Sequence, residues 1–147
     1  MARILIIDSE KPMRDMLHRH LHRHGHSPAT ASDAQEAFRA LLGERFDVVL
    51  TDIDMVDFEG LKMLQCMRSD PNTSALPVIV LTATKDEERL RSVRRLGVYS
   101  CLAKPVNGRI LLTEIRKALE RPRRPGPLPE PFYTRPAEEP PSEKRPE

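Results

Sequence analysis

The amino-acid sequence predicts an α/β fold, a five-stranded parallel sheet with helices on both faces. Five short apolar runs alternate with five stretches of helical periodicity, the pattern of parallel strands joined by crossover helices. Four of the runs end on a polar residue: Asp8, Asp52, Thr82 and Lys104. There are no internal repeats, so the alternation belongs to one domain rather than to a stack of units.

Arg3–Ile7 is a β-branched apolar run and reads as a buried central strand. It ends on Asp8, followed by Ser9 and Glu10. Pro12 suits the first turn of a helix, Met13, Leu17 and Leu21 recur at helical spacing, and Gly25 stops it. Ser27–Ala31 is a weak strand, placed at an edge because Pro28 cannot donate to a ladder. Ser32 with Gln35 makes a capping-box pattern for a helix carrying Ala37, Phe38, Leu41 and Leu42.

The third strand spans residues 46–51 and delivers Asp52 at its end. A helix from Glu59 follows, with Leu61, Leu64 and Met67 as its buried stripe, and Asp70-Pro71-Asn72 is a turn. Pro77 opens a fourth strand, 78–81, ending on Thr82. A charged helix over 86–96 closes at Gly97. A fifth strand, 98–103, ends at Lys104-Pro105, and Asn107 caps a last helix with Leu111, Ile115 and Leu119 on one face.

Nine of the 14 prolines lie after residue 120. Residues 1–120 therefore read as one globular domain and 121–147 as a disordered Pro-rich tail. The tail is read mainly as solvated chain; the functional alternative is a docking peptide anchored by Phe132-Tyr133. The body carries 18 basic and 17 acidic residues, a balance that gives no electrostatic argument for nucleic acid. Two cysteines without tight spacing, Cys66 and Cys101, suggest reduced thiols serving as buried apolar fillers. No apolar run approaches membrane length and the first residues lack a signal-peptide pattern. The expectation is a soluble cytoplasmic protein.

In a parallel sheet the polar strand ends converge on one edge, where open α/β sheets place their ligands. Carboxylates brought together there repel one another and favour an Mg²⁺ ion with oxygen ligands. Asp52 beside such an ion is a candidate nucleophile toward phosphorus. A lysine ammonium would neutralise charge on the transferring group and a threonine hydroxyl would hydrogen-bond one of its oxygens. Taken singly, each residue is more often structural: a cap, a strand residue, a surface lysine. The four in this order, with Lys104 immediately before a proline, carry the functional reading.

The segments ILIIDSE, DVVLTDIDMVDFEG, PVIVLTA and LAKP resemble a response-regulator receiver domain, the phosphoacceptor module of two-component signalling, over roughly residues 2–120. The resemblance implies the flavodoxin-like receiver fold with strand order 2-1-3-4-5. It implies Asp52 as the phosphorylated aspartate, Thr82 as the switch hydroxyl and Lys104 as the active-site lysine, with a cis bond before Pro105. It implies Mg²⁺ held by Asp8, Asp52 and the backbone carbonyl of Asp54. Three departures stand out. The family's second acid after the first strand is Ser9 here, which weakens the expected metal site, with Glu10 one residue on as a candidate ligand. Met55-Val56-Asp57 replaces the usual proline and glycine of the loop, and Cys101 stands where a switch aromatic is usual, with Tyr99 nearby.

The expected function is that of a single-domain response regulator, not an enzyme. It would accept a phosphoryl group from a histidine kinase or phosphotransfer protein and act by contact with an output protein that the sequence does not name. The alternative is a pseudo-receiver that docks partners without phosphorylation. Asp52-Ile53-Asp54-Met55-Val56 also fits the nucleophile motif of haloacid-dehalogenase-like phosphatases, a remote alternative because no later pair of acids falls near a strand end. His18, His20, His22, His24 and His26 give i,i+4 pairs capable of holding a transition metal, though solvated helix histidines are the commoner explanation. Arg89, Arg91, Arg94, Arg95, Arg109 and Arg116 lie on the last two helices. They are ordinary solvated arginines or a docking face for an acidic partner or a second copy of the chain.

Overall fold

A computed structural model describes residues 1–54 and 59–121. Apart from Arg121, the expected Pro-rich tail lies outside the described residues, as does Met55-Val56-Asp57. The strands are β1 (Arg3–Ile7), β2 (Ser27–Ala31), β3 (Val48–Asp52), β4 (Val78–Thr82) and β5 (Ser100–Ala103). The helices are α1 (Lys11–Arg23), α2 (Ala34–Gly43), α3 (Glu59–Ser69), α4 (Glu87–Arg95) and α5 (Gly108–Glu120). All pairings are parallel in the order β2-β1-β3-β4-β5, so Pro28 does sit on an edge strand.

Successive strand residues point to opposite faces, and this divides the core in two. Leu5, Ile7, Val49, Val78 and Val80 pack with Ala37, Met63, Leu64, Met67, Leu90 and Val93 of α2, α3 and α4. Ile4, Ile6, Val48, Leu50, Ile79 and Leu81 pack with Leu17, Leu21, Leu111, Ile115 and Ala118 of α1 and α5. Burial of each such Leu, Ile or Val side chain is worth about 1.5–3 kcal/mol, so the central strands are firmly placed.

The helix ends follow local chemistry. Gly25 (φ 89°) and Gly97 (φ 72°) take the left-handed conformation just past α1 and α4, which side chains disfavour. Asp86 accepts from the Glu88 amide and Asn107 from the amides of Arg109 and Ile110. At α2 the cap differs from the expected Ser32–Gln35 box. Asp33 accepts from the Glu36 N–H at 2.8 Å, while the Glu36 carboxylate reaches back to the Ser32 N–H at 2.7 Å. The box is closed by the longer acid one residue along.

Other boundaries also move. β3 begins at Val48 because the Asp47 carboxylate takes the Arg3 N–H at 2.8 Å, while Phe46 is buried beneath the Arg3 guanidinium. β5 begins at Ser100, with Val98 buried ahead of it. Leu119 is exposed and Ala118 takes its place in the core, since 3.6 residues per turn carries the stripe from Leu111 through Ile115 to residue 118. On α3, Met63 is buried and Leu61 only half-buried. Cys101 is buried as expected, but Cys66 is exposed. It lies two residues past the buried Leu64, about 200° round the helix.

Arg68 at the end of α3 ties the lower loops together. Its Nε donates to the Leu96 carbonyl at 2.9 Å and Nη2 to Gly97 at 3.0 Å. Nη1 reaches the carbonyls of Thr73, Ser74 and Leu76. Burial pushes its pKa down to about 10, so the guanidinium remains charged at neutral pH. It thereby fixes the chain entering both β4 and β5. Arg68→Met keeps the bulk but strands these carbonyls, and should cost about 3 kcal/mol, read as a lower urea midpoint with unchanged m. Leu42→Ser, at a side chain 84% exposed, should stay within about 0.5 kcal/mol.

Candidate functional site

Pairing register sets the upper edge of the sheet. Ile7 lies opposite Thr51, Asp52 opposite Leu81, and Thr82 opposite Ala103. Asp8 follows β1 directly, Asp52 ends β3, Thr82 ends β4 and Lys104 follows β5. These residues are brought level because the strands beneath them are in step.

Lys104 Nζ lies 3.0 Å from Asp52 Oδ2 and 3.4 Å from Asp8 Oδ2. Both carboxylates are buried, Asp8 at 1% and Asp52 at 4% exposure. Each uses its other oxygen to accept the amide two residues along, Glu10 N–H for Asp8 and Asp54 N–H for Asp52, both at 2.8 Å. Such Asx turns hold the carboxyl planes in place. The Arg14 guanidinium also fixes the Asp8 carbonyl at 2.8 Å.

Two carboxylates sharing one ammonium leave an excess negative charge in a buried place. Burial pushes the Asp52 carboxyl above its usual range, against the opposing pull of the Asp54 N–H and Lys104, and Asp8 adds to the rise. Burial alone would lower Lys104, but the hydrogen bond and charge of Asp52, with Asp8 behind it, raise its pKa instead. The Lys104 shift reflects the negative charge around it, whereas that of Asp52 is set first by its burial. Hard, converging carboxylate oxygens with unbalanced charge suit a divalent cation that prefers oxygen. Among the described residues no three His, Cys, Asp or Glu side chains are grouped to hold a metal ion. The donor set is thus two carboxylates, with Ser9 and Glu10 both exposed.

Thr82 and Asp54 form a second group. The Thr82 hydroxyl donates to the Asp54 carboxylate, with both oxygens at 3.0 Å, and the Ala83 N–H donates to Oδ2 at 3.0 Å. Thr82 Oγ1 accepts in turn from the Thr84 N–H at 3.0 Å. Arg89 Nη2 bonds the Ile53 carbonyl at 2.6 Å, so one of the α4 arginines is part of this edge. The Asp54 carboxylate and Arg89 were not anticipated in these places; the spacing of two acids around Ile53 was the available signal.

The Lys104–Pro105 peptide is cis. Cys101 packs among Val80, Leu90 and Val93, while Tyr99 packs with the α1 and α5 cluster, its ring 5.4 Å from the Arg121 guanidinium carbon. Tyr99 therefore does not substitute for a ring at position 101. The histidines divide. His18 and His22 stack at 6.3 Å, His20 Nε2 meets the Gly108 carbonyl at 3.2 Å, and His24 Nδ1 meets the His20 carbonyl at 3.0 Å. His26 accepts the Ala2 N–H, and burial lowers its pKa. Among the described residues no helix is long and apolar enough to cross a membrane.

Comparison with known proteins agrees with this geometry. The chain matches the response regulator receiver domain over residues 4–116. It is 37% identical over 120 residues to protein PilH of Pseudomonas aeruginosa, covering 81% of this chain and 98% of PilH. It is 31% identical over 121 residues to the transcriptional regulatory protein AfsQ1 of Streptomyces coelicolor, covering 82% of this chain but 52% of AfsQ1. The chemotaxis response regulator CheY4 of Vibrio cholerae superposes with a TM-score of 0.75 at 28% identity, covering 81% of this chain and 99% of CheY4. A parallel sheet in the order β2-β1-β3-β4-β5, an acid-rich edge bridged by a lysine and this agreement along most of the chain place the protein in the response regulator receiver domain family of two-component signalling.

Proposed function

We propose that the protein is a phosphoacceptor whose nucleophile is Asp52, with a histidine kinase or phosphotransfer protein as donor. The observation that carries this reading is the Lys104 ammonium held between the buried Asp52 and Asp8 carboxylates at the level strand ends. An Asp52 oxygen attacks phosphorus, the bond from phosphorus to the donor's nitrogen breaks, and the imidazole leaves with that electron pair. The amide of Asp54 keeps Oδ1 occupied, which presents the other oxygen for attack. Lys104, already within reach of Oδ2, exchanges carboxylate contact for a phosphoryl oxygen. The Thr82 hydroxyl stands one residue beyond the strand partner of Asp52, in position for a second phosphoryl oxygen.

Asp8, Asp52 and the Asp54 carbonyl are the ligands proposed for Mg²⁺, which when bound supplies positive charge against the transferring oxygens. The exposed Ser9 supplies no charge to that set, so affinity is lower than a third carboxylate would give. Output is proposed to run through protein–protein contact, with the arginine-bearing surface of α4 and α5 as the docking face for an acidic partner or a second copy. The phosphatase reading has less support: the strand ends after Asp52 carry Thr82 and Lys104, not the acids it needs.

Phosphorylation-independent docking is the second reading, and the two-carboxylate donor set is what favours it. Intact mass after incubation with acetyl phosphate and Mg²⁺ separates the two. The phosphoacceptor gains one phosphoryl group, absent in Asp52→Ala; no gain at high Mg²⁺ supports docking alone. Ser9→Asp should tighten Mg²⁺ binding about tenfold by adding a carboxylate to the cluster. Calorimetric titration checks this, and unchanged affinity would mean that residue 9 does not face the ion.

A further inference from the structure

We propose that the Asp54 carboxylate is an internal occupant of the phosphoryl-oxygen sites, and that acceptance at Asp52 requires it to be expelled. The proposal rests on the phosphoacceptor reading above and adds a gate to it.

The argument is one of proton counting. A threonine hydroxyl has a single proton to donate. In Thr82 that proton is directed at Asp54, both of whose oxygens lie at 3.0 Å. The Thr84 N–H, 3.0 Å from Thr82 Oγ1, uses a lone pair and fixes the direction of the hydroxyl. The neighbouring Ala83 N–H is also spent on Asp54, at 3.0 Å. The hydroxyl and amide that face the end of β3 are therefore both satisfied by an anion from the chain itself.

A phosphoryl group on Asp52 presents anionic oxygens to the same donors. It cannot share the Thr82 proton with Asp54, and two anions side by side repel. The carboxylate must leave, and it has somewhere to go because Asp54 is exposed, unlike Asp8 and Asp52. Its backbone amide stays bound to Asp52 Oδ1 throughout, so the movement is confined to the side chain. The consequence is twofold. Acceptance is slowed by competition from within, and phosphorylation moves a negative charge at the surface beside the Arg89–Ile53 tie to α4. In a domain with Cys101 where a ring would stand, that displaced charge is the reporter of the phosphorylated state.

The test uses the full chain at saturating Mg²⁺, so that any change in metal affinity is removed. Beryllofluoride, a phosphoryl mimic that bonds to the Asp52 carboxylate, is titrated into wild type, Asp54→Ala, Asp54→Asn and an Asp52→Asn control, following the Ala83 amide by NMR. Asp54→Ala should bind about tenfold tighter and accept from acetyl phosphate about tenfold faster, with Asp54→Asn between. Before any ligand is added, the Ala83 amide should exchange faster with solvent in Asp54→Ala. Binding by all three Asp52-containing proteins with equal strength overturns the gate and leaves the phosphoacceptor reading standing. Binding by none of them overturns both.

Discussion

One ammonium between two buried carboxylates is the constraint on which the site depends. Asp8 and Asp52 come from different strands, and Lys104 from a third. Removing one partner from such a buried group leaves charge uncompensated, at a general cost of about 3–5 kcal/mol. The cluster is not balanced even when complete. Burial, with a smaller push from Asp8, raises Asp52, while the neighbouring carboxylates raise Lys104 against its own burial. A site of this kind attracts cations and electrophilic phosphorus, and its instability is the counterpart of its chemistry.

The rest of the fold keeps the three strand ends level. In-step pairing from β1 to β5 does so along the sheet, and the divided core holds each strand from both faces. Arg68 acts at the opposite end, gathering the loops that feed β4 and β5. The positions of Thr82 and Lys104 therefore depend on a guanidinium at the far end of their strands. At the upper edge, the paired Asx turns of Asp8 and Asp52 convert backbone amides into fixed orientation for the carboxylates.

Much of this was legible in the residues. Apolar runs ending in Asp8, Asp52, Thr82 and Lys104 located both the sheet and its functional edge, because strand period and strand-end polarity are local properties. The order of the strands came from family resemblance, since nothing local states which strands pair. What escaped depended on where long side chains reach. Arg68 reads as an ordinary charged residue near a helix end, and only the folded chain shows its five carbonyl partners. Asp54 was expected to contribute its carbonyl, yet its carboxylate is the part that engages Thr82 and Ala83. Cys66 was expected in the interior by type and Leu119 on the apolar face by spacing, whereas helical phase puts both outside.

The central claim is that Asp52 itself carries the phosphoryl group, and chemical trapping tests it most directly. Borohydride reduces an acyl phosphate to the primary alcohol, which turns a phosphorylated aspartate into homoserine. Peptide mapping of the chain treated with acetyl phosphate, Mg²⁺ and then borohydride should find homoserine at position 52 alone. An unmodified Asp52 beside phosphate retained elsewhere, for instance on the α1 histidines, would contradict the account.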